Sequence, residues 1–192
     1  MKKWMAAWAA LAWASSVVAH HGPSMFDPSA LWLKGSIVEF ARTNPHSIIT
    51  LEESSADGRR QRWVLQGEDV RELDRNGISR DFLKAGDVLE VCVFPQKNEF
   101  RSSSTESSKL AQAAMLIMPN GRMQIWNPYG KLRGCVRSDD QSQAWVDFVN
   151  SSSLARTHWC RQFSTAPRPV TIRQDSERLI NEIDSQMSES CK

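Results

Sequence analysis

Between Trp63 and Phe94 the apolar pattern of this chain switches from a period of two to a helical period and back. A strand alternates faces at every residue, whereas a helix returns to one face every three or four, so the switch fixes an element order. Arg62 to Gln66 sets Trp63 and Leu65 on one face and reads as a strand. Glu68 to Arg75 has Val70 and Leu73 at helical spacing, and Asn76-Gly77 ends that helix, with Gly77 suited to a left-handed cap. After a short turn over Ser79 to Leu83, Lys84-Ala85-Gly86-Asp87 turns tightly into Val88 to Phe94, a strongly β-branched run.

The flanks extend the same order. Leu31 to Phe40 is read as a strand with Gly35 as a bend or bulge. Thr43-Asn44-Pro45-His46 is a turn, and Ser47 to Leu51 is a second strand. Ala56-Asp57-Gly58 signals a hairpin into the Trp63 strand. Phe100 to Lys109 is polar and Ser-rich and reads as a loop. Ala113 to Met118, a Pro119-Asn120-Gly121 turn and Met123 to Trp126 form a last hairpin. Three strands, a helix and two or three more strands are the order of a small OB-like barrel of five to six strands, with a β-sandwich as the alternative. The fold class expected is therefore mainly β, with a helical C-terminal extension. Gln143 to Phe163 is expected to be an amphipathic helix kinked at Ser151-Ser152-Ser153, and Ser176 to Met187 a final helix with Leu179, Ile180 and Ile183 as its stripe.

The front end is of another kind. Met1-Lys2-Lys3, an apolar stretch from Trp4 to Trp13 and the small-residue exit Val17-Val18-Ala19 are the three parts of a secretory signal. The apolar stretch is far short of the ~20 residues that span a bilayer. The expected organisation is a signal over 1–19, a barrel over 20–126 and an extension over 127–192, with a periplasmic location and no membrane span after cleavage. Cleavage after Ala19 removes two of the 24 basic residues and none of the 22 acidic ones, leaving a formal charge near zero. That balance argues against a nucleic-acid partner, which needs a basic footprint. The four cysteines, Cys92, Cys135, Cys160 and Cys191, meet an oxidising compartment there. Cys135 and Cys160 are expected to pair, with Cys92 an inert residue of a buried strand.

Three motifs carry a resemblance: His20-His21 with Phe26-Asp27, Glu39-Phe40-Ala41-Arg42-Thr43-Asn44-Pro45-His46, and Arg75 through Asp87. Over residues 20–126 the chain resembles a family of small exported bacterial proteins of unknown function, domain-of-unknown-function proteins that share these motifs. It departs from them at Arg42, where an aromatic is usual, at Ile78, where Trp is usual, and at Gly22, where Ser is common. The resemblance implies a fold but no activity.

One constellation has chemistry in it. A chain cleaved after Ala19 begins with His20, which offers a free α-amine and an imidazole to one metal ion. A third nitrogen completes the tetragonal site that copper(II) favours. His46, on its proline-fixed turn, is the first partner for that role and His21 the second, with Asp27 or Glu39 orienting a ligand. The bland alternative is a polar, flexible start and a turn-capping His46. His158 is read as a surface or core histidine, and Asp81, Lys84 and Asp87 as turn-capping groups. Trp63, Phe94, Trp126, Met115, Met118 and Met123 are read as core. No catalytic triad, HExxH or phosphate loop occurs. The functional expectation is a periplasmic binding protein that is not an enzyme; its cofactor is left unknown, with copper the one candidate and the non-metal reading of the histidines placed ahead of it. The alternative is a module that recognises an envelope protein or a small ligand.

Overall fold

The computed structural model describes residues 23–54, 58–101, 108–127, 132–137, 142–164, 176–189 and Cys191. The signal segment, His20 and His21 lie outside the described residues, as does 102–107 of the Ser-rich stretch.

Six strands form the sheet: β1 (Leu31–Ala41), β2 (Ile48–Ser54), β3 (Arg60–Gln66), β4 (Val88–Pro95), β5 (Ser108–Ile117) and β6 (Met123–Ile125). Their order is β3-β2-β1-β4-β5-β6, and a parallel pairing of β3 with β5 closes the first five into a barrel, with β6 added on β5. Helix α1 (Val70–Arg75) lies between β3 and β4. This is the OB-like arrangement expected from the period switch. The turns follow their residues: Gly58, Gly77, Gly86 and Gly121 all take positive φ, the region that glycine enters without steric cost.

Three local features differ from the sequence reading. The irregularity in β1 falls at Val38, where the register with β2 shifts between Ile37 and Glu39. Gly35 instead permits close strand approach, since a Cβ there would lie 2.5 Å from the Glu52 carbonyl oxygen. Strand β5 begins at Ser108, inside the expected loop, because its polar start pairs with Arg62 to Gln66 of β3. Such long-range parallel pairing leaves no local pattern. The expected kinked helix is two helices, α2 (Ser142–Ser151) and α3 (Ser153–Ser164), broken at Ser152, whose hydroxyl accepts from the Ala155 amide at 3.1 Å. That bond is an N-terminal cap for α3, so the serine run starts a helix rather than bending one.

The apolar residues divide between two cores. Leu33, Ile37, Ile49, Leu51, Leu65 and Leu89, with others, fill the barrel. Outside it, α2, α3 and α4 (Glu177–Met187) lay Trp145, Val149, Trp159, Leu179 and Ile183 over Cys92, Phe94, Met115 and Ile117. Strand β4 is therefore buried on both faces, with Val91 and Val93 inward and Cys92 and Phe94 beneath the helices. That is why Val88 to Phe94 reads as a nearly continuous apolar run rather than an alternation. Fully burying each large side chain contributes roughly 1.5–3 kcal/mol, so the extension is part of the folded unit and not an appended tail.

The cysteine pairing differs from the expectation. Cys92 bonds Cys135, and Cys160 bonds Cys191. Cys92 faces out of the barrel, where the short 3-10 turn Leu132–Cys135 crosses it. Cys160 on α3 instead bonds Cys191 beyond the end of α4, a partner that chain spacing does not distinguish from Cys135. Arg133 adds an ion pair to Asp184 of α4, and Asp184 also accepts from Trp159 Nε1 at 2.9 Å. No helix among the described residues is long and apolar enough to cross a membrane.

Candidate functional site

The segment that leaves β3 is held to the segment that enters β2 by two backbone hydrogen bonds, Ser47 N to Glu68 O at 2.8 Å and Gly67 N to Ser47 O at 2.9 Å. Gly67 sits so close to Trp126 that a Cβ there would be 2.1 Å from the indole Nε1. The clamp delivers Glu68 to the start of α1. Asp69 caps that helix, its Oδ1 accepting from the Glu72 amide at 2.8 Å, so Glu68 stands just outside the first turn. Arg75, one turn on, pairs with Glu72 at 2.8 Å.

Helix α3 approaches this edge. Ser153, Leu154, Thr157, His158 and Arg161 are spaced three, four, seven and eight apart and share one face. Between that face and Glu68, Glu72, Arg75 and Asn76 lies a cleft of about 660 Å³. The volume falls in the range of small-molecule sites.

The electrostatics of the cleft are bipolar. Glu68 is only 7% exposed. Burial, and then the negative charges of Glu72 and Asp69, push its carboxyl up from 4.5 to about 7. On the other wall, burial and the positive charge of Arg161 outweigh Glu72 and push the His158 imidazole down from 6.5 to about 4. Near neutral pH His158 is therefore uncharged, while the Glu68 carboxyl holds its proton well above the usual carboxylate range. Among the described residues, Glu68 Oε1 and Asn76 Nδ2 are buried atoms that no hydrogen-bond partner satisfies. A strongly perturbed carboxyl in a cleft is the pattern that functional sites favour over structural ones.

Of the residues singled out from sequence, His46 lies beside this cleft. Its Nδ1 is 3.2 Å from the Gly67 carbonyl oxygen, one residue from Glu68. His20 and His21 lie outside the described residues, so whether they meet His46 is not placed. Among the described residues, no three of His, Cys, Asp or Glu gather as a metal-ligand group. Asp87 accepts from the Lys84 amide at 2.8 Å, the capping role expected of that turn. Trp63, Phe94, Trp126, Met115 and Met123 are buried, as expected of core residues. Glu68 was invisible as a site in the sequence because it reads as an ordinary first-turn acid. Its partner wall is some ninety residues away, and no spacing links them. The one available signal was the density of acids at Glu68, Asp69 and Glu72 around the start of the helix.

A family model described as "Family of unknown function (DUF6152)" matches residues 9–105, just over half of the chain. No curated protein matches it. Among solved structures, a "putative aspartyl-tRNA synthetase from Leishmania major Friedlin" aligns at 12% identity and a TM-score of 0.32. The alignment covers 76% of this chain and 30% of that one, so this chain spans under a third of its length. At that similarity neither fold nor activity transfers.

Proposed function

Because this chain belongs to the family of unknown function DUF6152, no activity comes to it by descent, and we propose from its own residues that it is an exported, periplasmic binding protein with no catalytic step. Export rests on the Lys2-Lys3, Trp4 to Trp13 and Val17-Val18-Ala19 sequence. The ligand is a small polar molecule seated between α1 and α3. The observation that carries this is the Glu68 carboxyl, 7% exposed, with an oxygen that no group among the described residues satisfies, on the wall of a cleft of about 660 Å³. A buried polar atom left unpaired costs about 1–3 kcal/mol, a cost that a polar group of a bound ligand would relieve.

A thermal-shift screen of small polar compounds tests it. A ligand at one hundred times its Kd adds about 2.7 kcal/mol, a rise of several degrees for a chain of this size. Thr157→Trp, on the exposed α3 face of the cleft, is expected to abolish the rise. Ligands that stabilise the wild type and this variant equally would refute the reading.

A second reading, copper held by His20 and His46 with His21 as alternate, is favoured by one observation. The Gly67 carbonyl can only accept, so the His46 Nδ1 beside it carries the hydrogen. That puts the neutral ring's lone pair on Nε2, the tautomer that metal-ligating histidines adopt when the other nitrogen is so anchored. Protein cleaved before His20 is expected to bind one Cu(II), and a single residue added ahead of His20 to abolish this. Equal binding by the two forms rules the chelate out.

A further inference from the structure

The two disulfides differ in what must open before a reductant meets them. Cys92 lies in β4 and Cys135 on the 3-10 turn that crosses it, and both are 0% exposed within the core between barrel and helices. Reaching that bond means lifting the helices from the barrel, the opening of a whole core. Cys160 and Cys191 are only half-buried and pack at the margin of the same core. Cys160 is fixed on α3, where the adjacent Trp159 is fully buried and donates to Asp184 of α4 at 2.9 Å. Cys191 lies past the end of α4, and its amide donates to the Met187 carbonyl oxygen at 3.0 Å. Opening that last turn leaves Leu179, Ile180 and Ile183 in the core, so α4 keeps its seat. Helix ends open locally at a small fraction of the free energy that unfolds a core.

We propose that Cys160–Cys191 is a thiol-exchange site, which a dithiol reductant opens in the folded chain while Cys92–Cys135 stays closed. One thiolate of the reductant bonds to the Cys191 sulfur, the Cys160–Cys191 bond breaks, and Cys160 leaves as a thiolate that takes up a proton. The reductant's second thiol then displaces Cys191, which leaves as a thiol, and the reductant closes its own disulfide. Two electrons and two protons pass to the chain, and the dithiol is oxidised. The reduced chain carries two thiols where α3 was joined to the segment after α4. Cys92–Cys135 and the shared apolar core still hold the helices on the barrel.

The test is reduction of the oxidised full chain by dithiothreitol at about pH 8, where thiols are partly ionised, with N-ethylmaleimide trapping and mass spectrometry to map the labels. Cys160 and Cys191 are expected to be labelled at least about tenfold faster than Cys92 and Cys135. The species with two labels is expected to keep the native tryptophan fluorescence, because Trp145 and Trp159 stay fully buried. Urea separates local from global opening. A bond that opens only on unfolding is reduced roughly fivefold faster or more for each molar of urea below the midpoint, whereas local opening exposes little surface and hardly responds. Cys92–Cys135 should follow the first pattern and Cys160–Cys191 the second. Labelling of Cys92 and Cys135 first, of all four together, or a steep urea dependence shared by both bonds overturns the inference. Loss of native fluorescence in the two-label species overturns it too, since the bond would then hold the fold itself.

Discussion

Replacing Glu68 by Gln removes an ionisable group and leaves side-chain volume nearly unchanged, so its effect on stability isolates the burial of one carboxyl. The folded chain holds the Glu68 proton up to about pH 7, whereas an unfolded carboxyl loses it near 4.5. Between those values the native state binds more protons than the unfolded one, so this group's contribution to stability falls as pH rises. At about 1.4 kcal/mol per pH unit, the penalty reaches ~3 kcal/mol above pH 7. His158 works in the opposite sense. Its folded-state pKa lies at about 4 against 6.5 unfolded, so its contribution is complete above 6.5 and lost as pH falls toward 4. In the wild type the two slopes oppose each other between about pH 4.5 and 6.5, giving a nearly flat profile, and only the fall from Glu68 remains above that. The Glu68→Gln variant should show the rise from His158 alone and no fall afterwards. Urea denaturation at pH 4.5, 6, 7 and 8 reads this directly. The variant's advantage over the wild type is expected to grow from its value at pH 4.5 by ~3 kcal/mol at pH 8. A difference that stays constant across those four pH values would refute the burial argument, whatever its absolute size, since a new amide contact would contribute equally at each pH.

Three other outcomes follow from the packing. Gly67→Ala would drive a Cβ to 2.1 Å from Trp126 Nε1 and 2.7 Å from Ser47 Oγ, both fully buried. A loss of about 1–3 kcal/mol is expected by chemical denaturation, as for other overpacked sites. Gly35→Ala meets the Glu52 backbone oxygen at 2.5 Å and should cost a similar amount, because backbone of the paired β2 strand cannot move aside as a side chain can. Replacing Cys92 and Cys135 together by Ala opens a crosslink spanning 43 residues, and loop-closure entropy sets the loss at about 4 kcal/mol. Denaturation of the double variant beside the Cys160/Cys191 pair, which spans 31 residues, should give similar losses.

The barrel's element order was legible in local pattern. Trp63 and Leu65 alternate, Val70 and Leu73 step helically, and Gly77, Gly86 and Gly121 mark turns by the backbone freedom each position needs. These are local quantities: periodicity and steric allowance are fixed by near neighbours along the chain, so they survive without knowledge of the fold. The doubled burial of β4 was also legible, as an apolar run with too little alternation. The remaining features depend on contacts between distant segments. The β3–β5 closure, the partners of Cys92 and Cys160, and the meeting of Glu68 with His158 each join residues far apart in sequence. The spacing of Glu68 and His158 carries no trace of their approach. The pKa of each is set by what surrounds it and not by what precedes it, because desolvation and Coulomb energy depend on distance through space.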